Sequence, residues 1–126
     1  MEWSVVRIKQ TSGKNVPFVS IGRGQMDFNA AACKLINDEG QYKFAKILTG
    51  RENGKTVVAV RFLCEAESDT IAIKRKNHDG KIIQGMTIAN KGVMKDLFGE
   101  YGVNEGMDRR KVELIESDML KILDQD

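Results

Sequence analysis

The chain is poor in the residues that announce a specialised chemistry. Its 126 residues include two cysteines, one histidine, one proline and one tryptophan. Cys33 and Cys64 fit no metal or redox spacing, and each has apolar neighbours. Both are expected as small buried side chains without a disulfide. His78 stands alone in "RKNHDGK", with no Cys or second His to complete a metal site, and reads as an exposed loop residue rather than a general base. No apolar run approaches the roughly 20 residues of a membrane span. Met1-Glu2-Trp3-Ser4 lacks the charged-then-apolar pattern of a secretory leader, so the expected location is cytoplasmic, with no membrane partner. Charge of one sign is also scarce. Lys and Arg number 20 against 18 Asp and Glu, a net charge of +2 and a pI near 8.5, which permits nucleic-acid contact without announcing it.

What is present is an ordinary globular composition, 41% hydrophobic and 30% charged, long enough for one domain over residues 1–126. Trp3 to Ile8 is rich in aromatic and β-branched residues and predicts a strand. Pro17 marks the start of a second, through Phe18, Val19 and Ile21. After Gly22-Arg23-Gly24 come Met26 and Phe28 on one face of a strand, which runs directly into Asn29. Asn is a good N-cap, so "MDFNAAACKLI" reads as a strand that becomes a short helix without a linker. That helix is expected to end in "NDEGQ", with Gly40 in a left-handed conformation.

Tyr42 to Leu48 places Tyr42, Phe44 and Leu48 on one face and Lys43 and Ile47 on the other. Thr56 to Leu63 is a more continuous apolar run. Asn53-Gly54 between them is the strongest short hairpin signal, since both tolerate positive φ. Thr70 to Lys74 alternates again, Asp79-Gly80 marks a turn, and Ile82, Ile83, Met86 and Ile88 follow. Val93, Met94, Leu97 and Phe98 have helical spacing, with Gly99 as the stop. After a glycine-rich connection, Lys111 to Glu116 and Met119 to Leu123 read as short strands around Ser117-Asp118. The last of these also fits the closing turn of a helix.

Two stretches align as one device used twice, over residues 18–63 and 82–123. Met26 matches Met86, Phe28 matches Ile88, and Asn29 matches Ala89 or Asn90. Phe44 and Ile47 fall near Val112 and Ile115, and Val58 and Val60 near Leu120 and Ile122. Each unit is a strand, a short helix and a hairpin, too small to bury its own apolar face. Two units can interleave their strands and remove the exposed edges. The expected fold is therefore α+β, a curved or barrel-like, mainly antiparallel sheet of roughly seven or eight strands with two short helices. Closure within one chain permits a monomer, and open edges would favour a homodimer.

Each unit resembles the swapped-hairpin unit of AbrB-type transcription regulators, and tandem copies are similar to the arrangement in MraZ relatives. The resemblance rests on "IGRGQMDFNAAACKLI", with Gly22-Arg23 before an apolar strand and Asn29 starting a helix, and on "GMTIANKGVMKDLF", which has no Arg in the matching place. It implies a DNA-binding regulator.

Side-chain chemistry for catalysis is not assembled. Glu65, Glu67 and Asp69 read as a solvated loop rather than a cation site. Gly22-Arg23-Gly24 has neither the Lys-Ser/Thr of a P-loop nor a dinucleotide fingerprint. The chain is read as a non-enzyme with no cofactor and no metal. Basic residues do cluster: Lys74, Arg75, Lys76 and Lys81 around one turn, Arg109, Arg110 and Lys111 at one strand, Arg51 and Lys55 beside the Asn53-Gly54 tip, and Arg23 between glycines. Loop and hairpin-tip cations can reach a phosphate backbone without obstruction. Arg23 is the first candidate, its glycine neighbours leaving its backbone exposed. Tyr42 and Trp3 could stack on bases but sit in apolar-patterned strands and are expected in the core. The leading expectation is a DNA-binding regulator or accessory protein, for single- or double-stranded DNA. The other is a protein-interaction module, an adaptor or small inhibitor, favoured by the modest net charge and the acidic loop.

Overall fold

Alternation of apolar and polar side chains sets most of the strands, and two asparagines set both helices. The computed structural model describes residues 2–5, 16–76 and 79–123. The strands are β1 (Phe18–Gly22), β2 (Gln25–Phe28), β3 (Phe44–Glu52), β4 (Lys55–Leu63), β5 (Ile71–Ala72), β6 (Lys74–Lys76), β7 (Ile82–Ala89), β8 (Asp108–Glu116) and β9 (Met119–Ile122). The helices are α1 (Ala30–Leu35), between β2 and β3, and α2 (Lys91–Phe98), between β7 and β8, the latter followed by a 3-10 turn at Gly99–Gly102.

Asn29 joins β2 to α1. Its Oδ1 accepts from the N–H of Ala32 at 2.9 Å and of Phe18 at 3.0 Å, while its Nδ2 donates to the Val16 carbonyl at 2.7 Å. One side chain thus caps the helix and ties it to the start of β1. Gly40 has the expected positive φ (92°), but the left-handed residue that ends the helix is Asn37 (φ 51°). Asn37 N–H bonds Lys34 O and Asp38 N–H bonds Cys33 O, the pair of contacts that satisfies the last free carbonyls. Asn90 caps α2 by accepting from Val93 N–H at 3.1 Å, and Gly99 (φ 68°) stops it as expected. At the β3–β4 tip, Asn53 (φ 51°) and Gly54 (φ 79°) make the tight turn their sequence calls for.

All strands belong to one sheet of order β5-β3-β4-β9-β8-β1-β2-β7-β6, with antiparallel neighbours throughout. Its two ends, β5 and β6, are separated only by Ile73. Ile71–Ala72 pairs with the start of β3, at Phe44 and Ala45, and Lys74–Lys76 with β7, so one short stretch nearly closes the sheet into a barrel. The fold is thus α+β with a barrel-like antiparallel sheet and two short helices. Inward strand residues fill it, among them Val19, Met26, Ala45, Val60, Phe62, Met86, Ile88 and Leu120, joined by Met94 from α2, each 1% exposed or less. Phe28 meets Phe62 edge to face, centroids 5.3 Å apart, worth about 1 kcal/mol beyond the area buried.

The ladders have a two-fold pattern. Met26 faces Ile88 while Phe28 faces Met86, and Val58 faces Ile122 while Val60 faces Leu120. The β8–β9 hairpin reaches back to pair with β1, and β3 reaches forward to pair with β5. One match in the aligned units shifts: Ile47 faces Val60 and Val112 faces Ile122, making Ile47, not Phe44, the counterpart of Val112.

Other expectations change. Residues 2–5 carry no strand, and Trp3 and Val5 are 86% and 93% exposed, so Trp3 is not a core residue. The remainder of the expected first strand lies outside the described residues, as does His78. The strand expected to end at Lys74 continues through Lys76, because β7 offers it a ladder. The 119–122 segment is strand, paired on both sides. Cys33 is buried, and burial pushes its thiol up to about 11, with the Asp38 charge adding to the effect. Cys64 is exposed instead, just beyond the end of β4. The buried face of β3 is that of Ala45 and Ile47.

The seam is clamped by an ion pair. Arg75 on β6 donates to both oxygens of Asp38, at 2.7 and 2.9 Å, and to the Tyr42 carbonyl at 2.7 Å. The Asp38 side chain is only 8% exposed. Burial pushes the Asp38 carboxyl up, but the hydrogen bonds from Arg75 and Gly40 N–H and the positive charges of Arg75 and Lys43 outweigh it. The pKa lies below the ordinary 3.8.

Two predictions follow from these contacts. In urea titrations Asn29→Ala should cost about 2 kcal/mol, because it loses a cap and two long-range hydrogen bonds, against about 1 kcal/mol for Asn90→Ala. Equal costs would mean the β1 tie is inert. Arg75→Ala should cost about 3 kcal/mol at neutral pH by stranding a nearly buried carboxylate. Since the folded carboxyl titrates below its unfolded value, the wild-type contribution is complete above about pH 4 and is lost as pH falls through the folded pKa. The gap between wild type and variant should close in that acid range.

Candidate nucleic-acid interface

Strand register decides which of the basic residues share a surface. On the outer face of the sheet, directly paired positions run Lys74 (β6), Thr87 (β7), Asp27 (β2), Ser20 (β1) and Arg109 (β8). Directly opposite residues in a ladder point to the same side. Their neighbours in sequence face the core: Met26, Ile88, Val19 and Ile21 are fully buried. With strands about 4.8 Å apart, the row covers about 19 Å of curved surface from one cation to the other.

A cleft of about 630 Å³ opens over one half of this row, lined by Arg23, Gln25, Asp27, Lys74, Gly85 and Thr87 among others. Part of its lining is the side-chain-free backbone at Gly85. Gly85 lies where β7 crosses the end of β2, and a Cβ there would sit 2.0 Å from the Phe28 carbonyl oxygen. Only glycine fits where the two backbones come so close. On the floor, Thr87 Oγ1 donates to Asp27 Oδ1 at 2.6 Å, and Gln25 Nε2 donates to both Asp27 oxygens at 3.0 Å. The far end of the row has a different character. The Arg109 guanidinium lies 4.6 Å from the centre of the Phe18 ring, and Phe18 pairs with Lys111. Both Arg109 and Lys111 are exposed.

Arg23 stands at the rim, exposed, in the β1–β2 turn at φ 54°. Its backbone is not open to a ligand as the flanking glycines suggest. The Arg23 N–H donates to Asn104 O at 2.8 Å and Gly24 N–H to Gly102 O at 2.9 Å. Its Nε donates to Glu105 O at 2.9 Å. The loop after α2 therefore grips the turn and presents the outer end of the guanidinium to the cleft.

Other expected residues lie elsewhere. Arg75 is committed to Asp38 and Tyr42. Arg110 lies on the opposite side of β8 from Arg109. It donates to Tyr101 Oη at 2.7 Å and Asp108 at 3.3 Å and covers the Tyr101 ring. Arg51 and Lys55 belong to the β3–β4 tip, where Arg51 donates to Gly54 O at 3.1 Å. The depression there is lined by Glu52, Lys55 and Lys121 and shares no residue with the cleft. Lys76 pairs opposite Ile82 in the β6–β7 ladder, and Lys81 is an exposed residue just before β7. Tyr42 is half-buried against Phe62 and donates to Ile36 O at 3.2 Å. In the acidic loop, Glu67 pairs with Lys46 at 2.5 Å.

Sequence reasoning missed Gln25, Asp27, Ser20, Gly85, Thr87 and Phe18. The one available signal lay in the aligned units, where Asp27 and Thr87 occupy matching outward positions. Among the described residues no group of three or more His, Cys, Asp or Glu is placed to hold a metal ion, and no helix is long and apolar enough to cross a membrane. No family model, curated protein or solved structure matches this chain.

Proposed function

We propose that the chain is a non-enzymatic nucleic-acid-binding protein, a regulator or accessory factor acting in the cytoplasm, and that it contacts phosphates with the outer face of β6, β7, β2, β1 and β8. The observation that carries this reading is the shared cross-strand row with Lys74 and Arg109 at its ends and Arg23 at the rim of the adjoining cleft. Exposed cations on a rigid sheet gain affinity by releasing counterions from the phosphate backbone. Phe18 under Arg109 adds a surface for stacking. The span of about 19 Å accommodates several nucleotides of an extended strand. An outward-curving sheet meets a flexible single strand over more area than it meets a rigid duplex, so single-stranded DNA is the preferred form. The AbrB-like resemblance points to DNA as well.

A second reading, a protein-interaction module, is favoured by one observation: Leu114 and Ile115 on β8 are 42% and 43% exposed, beyond the part of that strand that pairs with β1. It predicts association that survives nuclease and is lost on Leu114→Asp.

Fluorescence-anisotropy titration of labelled single- and double-stranded DNA across a salt series separates the two. Affinity should fall linearly on logarithmic axes, and each of Arg23→Ala, Lys74→Ala and Arg109→Ala should lower the slope by about 0.7 for a single strand. Arg51→Ala and Lys55→Ala should leave it unchanged. Absence of binding at the lowest salt would overturn the reading.

A further inference from the structure

An acid at the centre of a cationic row is an odd place to put a phosphate. Asp27 lies between Lys74 and Arg109 in the row and forms part of the cleft floor. Its charge repels a phosphate and attracts a group that donates hydrogen bonds. The carboxylate is also held in one orientation. Thr87 Oγ1 and Gln25 Nε2 both donate to Oδ1, and Gln25 Nε2 also donates to Oδ2. That leaves acceptor capacity on Oδ2. Because the Gln25 amide gives its nitrogen to Asp27, its carbonyl oxygen is left as the second acceptor that this pair of cleft-lining side chains offers.

Resting on the nucleic-acid reading, we infer that the cleft takes one unpaired base of a single strand, and that the base is guanine. Two neighbouring acceptors match two neighbouring donors. Guanine offers N1–H and the N2 amino group side by side on its Watson–Crick edge. Adenine and cytosine each set one amino donor beside a ring acceptor, and thymine sets one N–H between two carbonyls. The backbone floor at Gly85 lets a flat ring approach, Ile83 gives an apolar wall, and the rim cations Arg23 and Lys74 face the flanking phosphates. The volume of about 630 Å³ accommodates a nucleotide.

The test is a competition series with short oligothymidylates carrying a single central deoxyguanosine, deoxyinosine, deoxyadenosine or deoxycytidine, on wild type and Asp27→Asn. The guanine strand should bind wild type about ten-fold tighter than the others. Inosine, which lacks the N2 amino group, should lose most of that advantage, a comparison that needs no variant. Asp27→Asn removes a negative charge and should raise affinity for every strand, but the ratio of guanine to thymine strands should fall toward one. Equal, salt-dependent binding of all strands, or an unchanged ratio in Asp27→Asn, overturns the base assignment while the phosphate-contact reading stands. No binding of any strand at low salt overturns both. Guanosine monophosphate competing as well as the guanine oligomer would show a free-nucleotide site and overturn the strand assignment.

Discussion

The close crossing of β7 over the end of β2 is the constraint on which both the fold and the site depend. At Gly85 the two backbones are so near that any Cβ would collide with the Phe28 carbonyl. That approach sets the β2–β7 register, placing Met26 against Ile88 and Phe28 against Met86 at the centre of the core. It also occurs where β2 gives way to α1, one residue from the Asn29 cap. Gly85 also lines the cleft in which Gln25, Asp27 and Thr87 meet. The buried register inside the sheet and the candidate site outside it thus adjoin the same backbone contact.

The barrel's charges divide into two kinds of work. Arg75 ties the seam strand to Asp38 and Tyr42, and Arg110 is taken up by Tyr101 and Asp108. Both pairings are partly shielded from water, where an ion pair with good hydrogen bonds holds a unique geometry and its loss leaves a costly lone charge. Arg109, Lys111, Lys74 and Arg23 are exposed by contrast. They contribute little to stability and add positive field on one face. Adjacent residues in one basic cluster, such as Lys74 and Arg75 or Arg109 and Arg110, thus have opposite surroundings because strand alternation sends them to opposite sides.

Most of the architecture was legible because local signals agreed with the global fold. The Asn53-Gly54 turn, the strand-to-helix switch at Asn29, the stop at Gly99 and the paired apolar strands all follow from short-range chemistry. What was not legible needed long-range information. The end of α1 at Asn37 rather than Gly40 depends on which left-handed residue completes the carbonyl contacts. The split of the 71–76 stretch between β3 and β7 exists only once the sheet curls round on itself. The candidate site was hidden for the same reason. Ser20, Asp27 and Thr87 are unremarkable polar residues until register lines them up, and charge clusters in sequence gave no clue that Arg75 and Arg110 face inward.

The most direct measurement is backbone-amide NMR of the labelled protein titrated with a short single-stranded oligonucleotide. Shifts concentrated at the Arg23 turn, at Gln25, Asp27, Gly85 and Thr87, and along β8 near Arg109 are the result the interface requires. Shifts confined to the β3–β4 tip around Arg51 and Lys55, or to the exposed Leu114–Ile115 end of β8, would contradict it.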